Sequence, residues 1–137
     1  MPDFHRYSGR FEYTLPGRVP SKKNSLRRIK RGNKIYTVSS EKHTAWAKEM
    51  HLRLMSQKNK LRQGKPIETV GELFIKIYFP DNRKADLTNK AESIMDAMVD
   101  AGILQDDDWH VVGVLHLVGA YDKEKPRAEV SIYGYWT

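Results

Sequence analysis

Residues 70–79, VGELFIKIYF, restrict the fold more than any other stretch of the chain. Leu73, Ile75, Ile77 and Phe79 recur at every second position, which is the period of a strand. Phe74 and Tyr78 add apolar surface to the opposite face. A strand apolar on both sides belongs inside a sheet rather than at its rim. Pro80 ends it, because proline has no amide hydrogen to extend a ladder, and a polar loop covers 81–84. Ala91, Ile94, Met95 and Met98 then stand at i, i+3, i+4 and i+7. That spacing predicts an amphipathic helix, with Gly102 as its C-terminal stop.

Other segments give weaker signals of the same kinds. Residues 11–15 alternate like a strand and stop at the turn signal Pro16-Gly17. Pro20-Ser21 reads as loop, and 34–38 is a short β-rich run. Ser39 or Ser40 suits a helix N-cap. Trp46, Met50 and Leu54 follow at helical spacing, with Ala45, Leu52 and Met55 widening the stripe, so a helix is predicted over 41–57. The Trp46 stripe reads as core rather than as a platform for stacking bases. Residues 63–68 form a loop around Pro66. Residues 111–118 and 128–133 make a final pair of strands, with 123–126 free to turn between them. The order β, β, α, β, α, β, β predicts an α+β fold: a mixed β-sheet with two main helices packed on it. The chain has no internal repeat and no long linker, so residues 1–137 are expected to form a single domain.

Charge narrows the choice of partner. The chain carries 24 Lys and Arg against 17 Asp and Glu, a net charge of +7, which favours a polyanionic partner. Lys22, Lys23, Arg27, Arg28, Lys30, Arg31 and Lys34 fall in one stretch without an acid among them, dense enough to favour phosphate contact. Lys58, Lys60, Arg62 and Lys65 form a second patch, for which a solvated loop is a sufficient explanation. There is no cysteine, which excludes disulfides and thiolate metal sites. No apolar run approaches the roughly 18 residues that would span a bilayer, and the first residues lack the apolar core of a signal peptide. A cytoplasmic protein is expected, with no membrane partner.

Within this basic chain, acids crowd between Asp81 and Asp108. On the helix marked by Ala91, Ile94, Met95 and Met98, Asn89, Glu92, Ser93, Asp96 and Asp100 are left off the apolar stripe. Glu92 and Asp96 sit at i and i+4, where like charges repel by roughly 0.2–0.5 kcal/mol and a metal ion would turn repulsion into coordination. Asp86 lies at the helix mouth, where it suits an N-cap as well as a ligand. Asp106, Asp107 and Asp108 lie beyond the far end. A turn before a strand needs only one aspartate, not three. Asp96 and Asp100 can also be read as solvating the helix, and for Asp100 that reading is preferred. No EF-hand loop, H-E-x-x-H pair or nucleophile elbow is present. His110, close to the triplet, is kept as a candidate. Clustered carboxylates in a basic chain suggest a metal-dependent nuclease using Mg²⁺ or Mn²⁺, which take oxygen ligands.

The series Asp86-Leu87-x-Asn89, Asp96 on the helix, Gly102 and Asp106-Asp107 resembles the RusA family of Holliday junction resolvases. Pro20-Ser21-Lys22-Lys23-Asn24, leading through basic residues to Val38-Ser39, is similar to that family's N-terminal region. The resemblance runs from about residue 13 to residue 130. It implies a homodimeric, magnesium-dependent endonuclease that cuts four-way DNA junctions by paired nicks, of a kind often encoded in prophages. Asp86 matches the first catalytic aspartate and Asp107 the last, with Asn89 and Asp96 at motif positions beside them. Thr88 stands where a second catalytic aspartate is expected, and Glu92 where a functional lysine is expected. Glu92 is one helical turn past position 88, so its longer side chain could return the missing carboxylate, and Lys90 could supply the missing cation by turning inward. The implied site is therefore Asp86, Asp107, Glu92 and Lys90 for catalysis. The metal would be held by Asp86 and Asp107 with Glu92, Asp96 or Asp106. Lys22, Lys23, Asn24, Arg27, Arg28, Lys30 and Arg31 would hold the DNA. Two rivals stay open: a metal-dependent nuclease of other specificity, and a non-catalytic nucleic-acid-binding module in which the acids only cap and solvate.

Overall fold

The computed structural model of the protein describes the backbone of residues 7–21 and 26–136. Six strands and two helices follow in the order β1 (Tyr7–Pro16), β2 (Leu26–Arg31), β3 (Lys34–Ser39), α1 (Glu41–Lys60), β4 (Thr69–Phe79), α2 (Leu87–Asp100), β5 (Leu115–Tyr121) and β6 (Arg127–Trp136). Four strands make a mixed sheet in the order β1-β6-β4-β5, and β2 with β3 forms a separate two-stranded ribbon. The architecture is α+β, as the alternation of periods predicts. β4 lies inside the sheet, antiparallel to β6 on one side and parallel to β5 on the other.

One sheet face builds the core. Leu73, Ile75 and Ile77 of β4 meet Val130 and Ile132 of β6 and Tyr13 and Leu15 of β1, and the helices add Met50, Leu54, Ile94 and Met98. In α1 only a narrow stripe is covered. Met50 and Leu54 are buried, while Trp46 and Met55 pack partly against the core. Ala45 and Leu52, expected to widen that stripe, face outward. Ser40, not Ser39, caps α1, its Oγ accepting from the His43 amide at 3.1 Å. The Tyr13 hydroxyl donates to Gln63, itself buried and bonded to the carbonyls of Lys65 and Ile103 at 3.0 and 2.9 Å. Burial there raises the phenol pKa well above its ordinary range.

Two features differ from the sequence reading. The final two strands are not neighbours: β6 inserts between β1 and β4, and β5 lies beyond β4. The link at 122–126 therefore crosses the end of β4, a step of roughly 9–10 Å between strands once removed from each other. Asp122 builds that link. Its carboxylate accepts from the Glu124 and Lys125 amides at 3.1 Å and from Arg127 at 3.0 Å, and its amide donates to the Phe79 carbonyl at 2.9 Å. The extra strand is β2, where a run of cations hides the alternation. It pairs with β3 through a turn at Gly32, whose φ of +61° suits glycine.

α2 ends as its glycine predicts. Gly102 has φ +73°, its amide donates to Val99 at 3.0 Å, and the Ile103 amide donates to Met98 at 2.9 Å. These two bonds define a Schellman stop, and they aim the chain into the loop that carries the aspartate triplet.

Candidate active site

The site is built around the two ends of α2. At its N-terminus Asp86 is the N-cap. One carboxylate oxygen accepts from the Thr88 amide at 3.1 Å, the Thr88 hydroxyl at 2.7 Å and the Asn89 amide at 3.3 Å. The other accepts from the Asn89 side-chain amide at 2.7 Å. The alternatives of cap and ligand are thus compatible, because the cap bonds orient a carboxylate that stays exposed. Thr88, at the position where a second aspartate is expected, gives its hydroxyl to the first.

The helix flank below Asp86, though off the apolar stripe, is not left to solvent. Asn89 and Ser93 are buried. Ser93 donates to the Pro20 carbonyl at 2.8 Å and meets His43 Nε2 of α1 at 3.3 Å. Lys90 turns inward, as the sequence allowed, and donates to the Val19 carbonyl at 2.7 Å. Burial, then the charges of Arg18 and Lys42, hold its pKa below the ordinary lysine value. This polar seam fastens the segment before the basic stretch onto α2. It went unread because asparagine and serine at helical spacing look like surface, and only their long-range partners reveal burial.

At the other end, Asp107 lies near Asp96 and Asp106. Burial raises its pKa first, followed by hydrogen bonding with Asp106 and the negative charge of Asp96. Its amide donates to Asp106 at 2.7 Å. Asp108 is the one aspartate the turn needs, accepting from the His110 and Val111 amides at 2.9 and 3.2 Å. The His110 ring packs on Trp109, with ring centroids 4.0 Å apart. Asp100 is bonded to His51 at 2.9 Å. Asp96 and Asp107 border an open groove of about 860 Å³ between α1 and α2, with Trp46, Ala47, Leu52 and Ala97 on its walls. Glu92 lies outside that groove, exposed, on the turn between Thr88 and Asp96.

Asp86 caps the start of α2, whereas Asp107 lies beside Asp96, ten residues along the helix from the cap, a rise of roughly 15 Å at about 1.5 Å per residue. Among the described residues, no three His, Asp or Glu side chains are grouped to hold one metal ion. The carboxylates nearest to such an arrangement are Asp96, Asp106 and Asp107. Of the DNA-contact candidates, Arg28, Lys30 and Arg31 are exposed on the ribbon. Lys22, Lys23, Asn24 and the side chain of Arg27 lie outside the described residues.

A protein-family model described as endodeoxyribonuclease RusA matches residues 16–133. The chain belongs to the RusA family. The match takes in every element from the end of β1 to most of β6, including both acidic ends of α2. No individual curated protein matches the chain significantly. Among the described residues, no helix is long and apolar enough to cross a membrane.

Proposed function

We propose that the chain is a magnesium-dependent endonuclease that resolves four-way DNA junctions by paired nicks, working as a homodimer of single-domain subunits in the cytoplasm. Membership of the RusA endodeoxyribonuclease family supports the class of reaction. The observation that supports the metal is the oriented Asp86 carboxylate together with an Asp107 whose partial desolvation and acidic neighbours make its charge costly. A divalent cation relieves such crowding, and the all-oxygen donor set suits Mg²⁺ or Mn²⁺. When bound, the ion would activate water and neutralise the attacked phosphate.

The residues divide the remaining work. Asn89 and Thr88 hold Asp86 in one orientation. Asp107, with Asp96 or Asp106, supplies the second carboxylate group. Glu92 is proposed to stand in for the carboxylate absent at Thr88, and Lys90 to place positive charge behind Asp86. Arg28, Lys30 and Arg31 would grip flanking phosphates without reading bases. Among the described residues no three carboxylates of one chain are grouped to hold a metal ion. A second chain is proposed to complete the centre.

The deciding experiment incubates the protein with a synthetic four-way junction, a flap and a linear duplex, with Mg²⁺ or with chelator. Symmetric nicks in opposed strands of the junction, lost on chelation, are expected. Preferred cutting of the flap or duplex would make it a nuclease of other specificity, and binding without cutting would make it a non-catalytic module.

A further inference from the structure

Two histidines of α1 reach across to α2. His43 Nε2 meets the Ser93 hydroxyl at 3.3 Å, and His51 Nδ1 meets the Asp100 carboxylate at 2.9 Å. The groove between the helices lies along these two struts, with Trp46 and Ala47 on one wall, Asp96 and Ala97 on the other, and Asp106 and Asp107 also lining it. The struts differ chemically. Ser93 gives its hydrogen to the Pro20 carbonyl, so it can only accept from His43, and His43 Nε2 is taken up as a donor. The partner of His51 is a carboxylate, which accepts and does not donate. The hydrogen of the neutral His51 ring therefore sits on Nδ1, and the lone pair is left on Nε2. The side chain is 42% exposed, so water reaches it.

We propose that His51 is the general base of the nuclease reaction, with Asp100 as its positioning residue. The proposal rests on the endonuclease reading and adds a residue to it. His51 Nε2 takes one proton from the water whose oxygen attacks phosphorus. The bond from that oxygen to phosphorus forms as the bond from phosphorus to the departing sugar oxygen breaks. The departing oxygen takes a proton from solvent, and the imidazolium, held against the Asp100 carboxylate, later returns its own proton to solvent. A carboxylate that fixes one imidazole nitrogen and leaves the other free is the arrangement such a step requires.

Position favours this role over that of a tether between helices. Asp100 stands one turn beyond Asp96 on α2, a rise of roughly 6 Å, and Asp107 lies beside Asp96. The free nitrogen is thus on the groove that holds the carboxylates proposed to take the metal. The charged and titratable groups sharing that groove with His51 are His43 and Lys48 of α1, Asp96 and Asp100 of α2, and Asp106 and Asp107 of the loop. The acids outnumber Lys48, and negative surroundings favour the imidazolium that the step forms. His43 is engaged with Ser93, and a charged lysine has no lone pair to offer, so His51 is the neutral nitrogen left to accept a proton there.

Single-turnover cleavage of a synthetic four-way junction at saturating Mg²⁺, followed across pH, tests the assignment. The wild-type rate should climb between about pH 5 and 8, where histidine loses its proton. His51→Gln is expected to lose about a hundredfold or more, the scale of general-base catalysis, and to lose that limb of the profile while its melting temperature stays put. Added imidazole should return part of the rate to His51→Ala. Asp100→Asn should also slow cutting, because an amide donates as well as accepts and no longer fixes the ring. Nitrogen-15 NMR of the neutral wild-type ring should find the hydrogen on Nδ1. A His51→Gln variant with wild-type rates and profile overturns the proposal. So does a slow variant that keeps the shape of the profile and that imidazole does not help, since that marks a tether, and so does a hydrogen found on Nε2. Cutting by wild type and His51→Gln alike defeats only the role of His51, whereas a wild type that binds the junction and never cuts defeats the nuclease reading and this role with it.

Discussion

At the scale of single residues, Asp107 and Asp86 have opposite surroundings. Asp86 is stabilised by four donated hydrogen bonds, while Asp107 is burdened by burial, by Asp106 and by Asp96. A carboxyl whose folded pKa lies above its unfolded one binds its proton more tightly in the native state, so stability falls as pH rises through that interval. Asp107→Asn removes this cost. It is expected to abolish Mg²⁺-dependent cleavage yet raise the melting temperature at neutral pH, with the gain disappearing below about pH 4, where aspartates protonate. A melting series across pH, read beside a cleavage assay, checks both halves. Glu92→Gln is expected to lower cleavage by more than about a hundredfold, the scale on which metal ligands exceed their supporting shell, with little change in melting. Thr88→Asp combined with Glu92→Lys should restore part of the activity. Wild-type cutting by Glu92→Gln across a magnesium titration would assign the third ligand to Asp96 or Asp106.

At the scale of elements, legibility followed the source of each signal. β4 and α2 were readable because their burial repeats at the periods of strand and helix, and the Gly102 stop because positive φ selects glycine. Gly102→Ala places a Cβ in the left-handed region, at a cost of roughly 1–2 kcal/mol. A melting temperature lower by several degrees is expected, since 1 kcal/mol moves a domain of this size by about 2–4 °C or somewhat more. β2 was hidden because its run of cations, LRRIKR, masks the alternation by which a strand is read. Changing Arg28, Lys30 and Arg31 together to Gln should weaken DNA binding across sequences. The slope of log affinity against log salt should also fall by up to about 0.9 for each phosphate that is no longer neutralised. An unchanged slope would show that the ribbon points away from DNA. The positions of Asp86 and Asp107 along the chain were legible as motif, but not that Asp107 lies beside Asp96, some turns of α2 beyond the Asp86 cap. Sequence order carries no information on whether two ends of an element fold back to meet.

At the scale of the whole molecule, the local strand signals could not give the sheet order. Residues 111–118 and 128–133 look like hairpin partners because they are adjacent in sequence, yet β4 lies between the strands they form. Pairing across long separations also tied the N-terminal segment to α2, through Lys90 to Val19 and Ser93 to Pro20. That seam has a mechanical consequence. The ribbon starts at Leu26, six residues along the chain from Pro20, whose carbonyl, with that of Val19, is held by the helix that Asp86 caps. A tug along the ribbon is borne at its root by two side chains of that helix, and the Asp86 end of α2 shares whatever load a gripped strand applies.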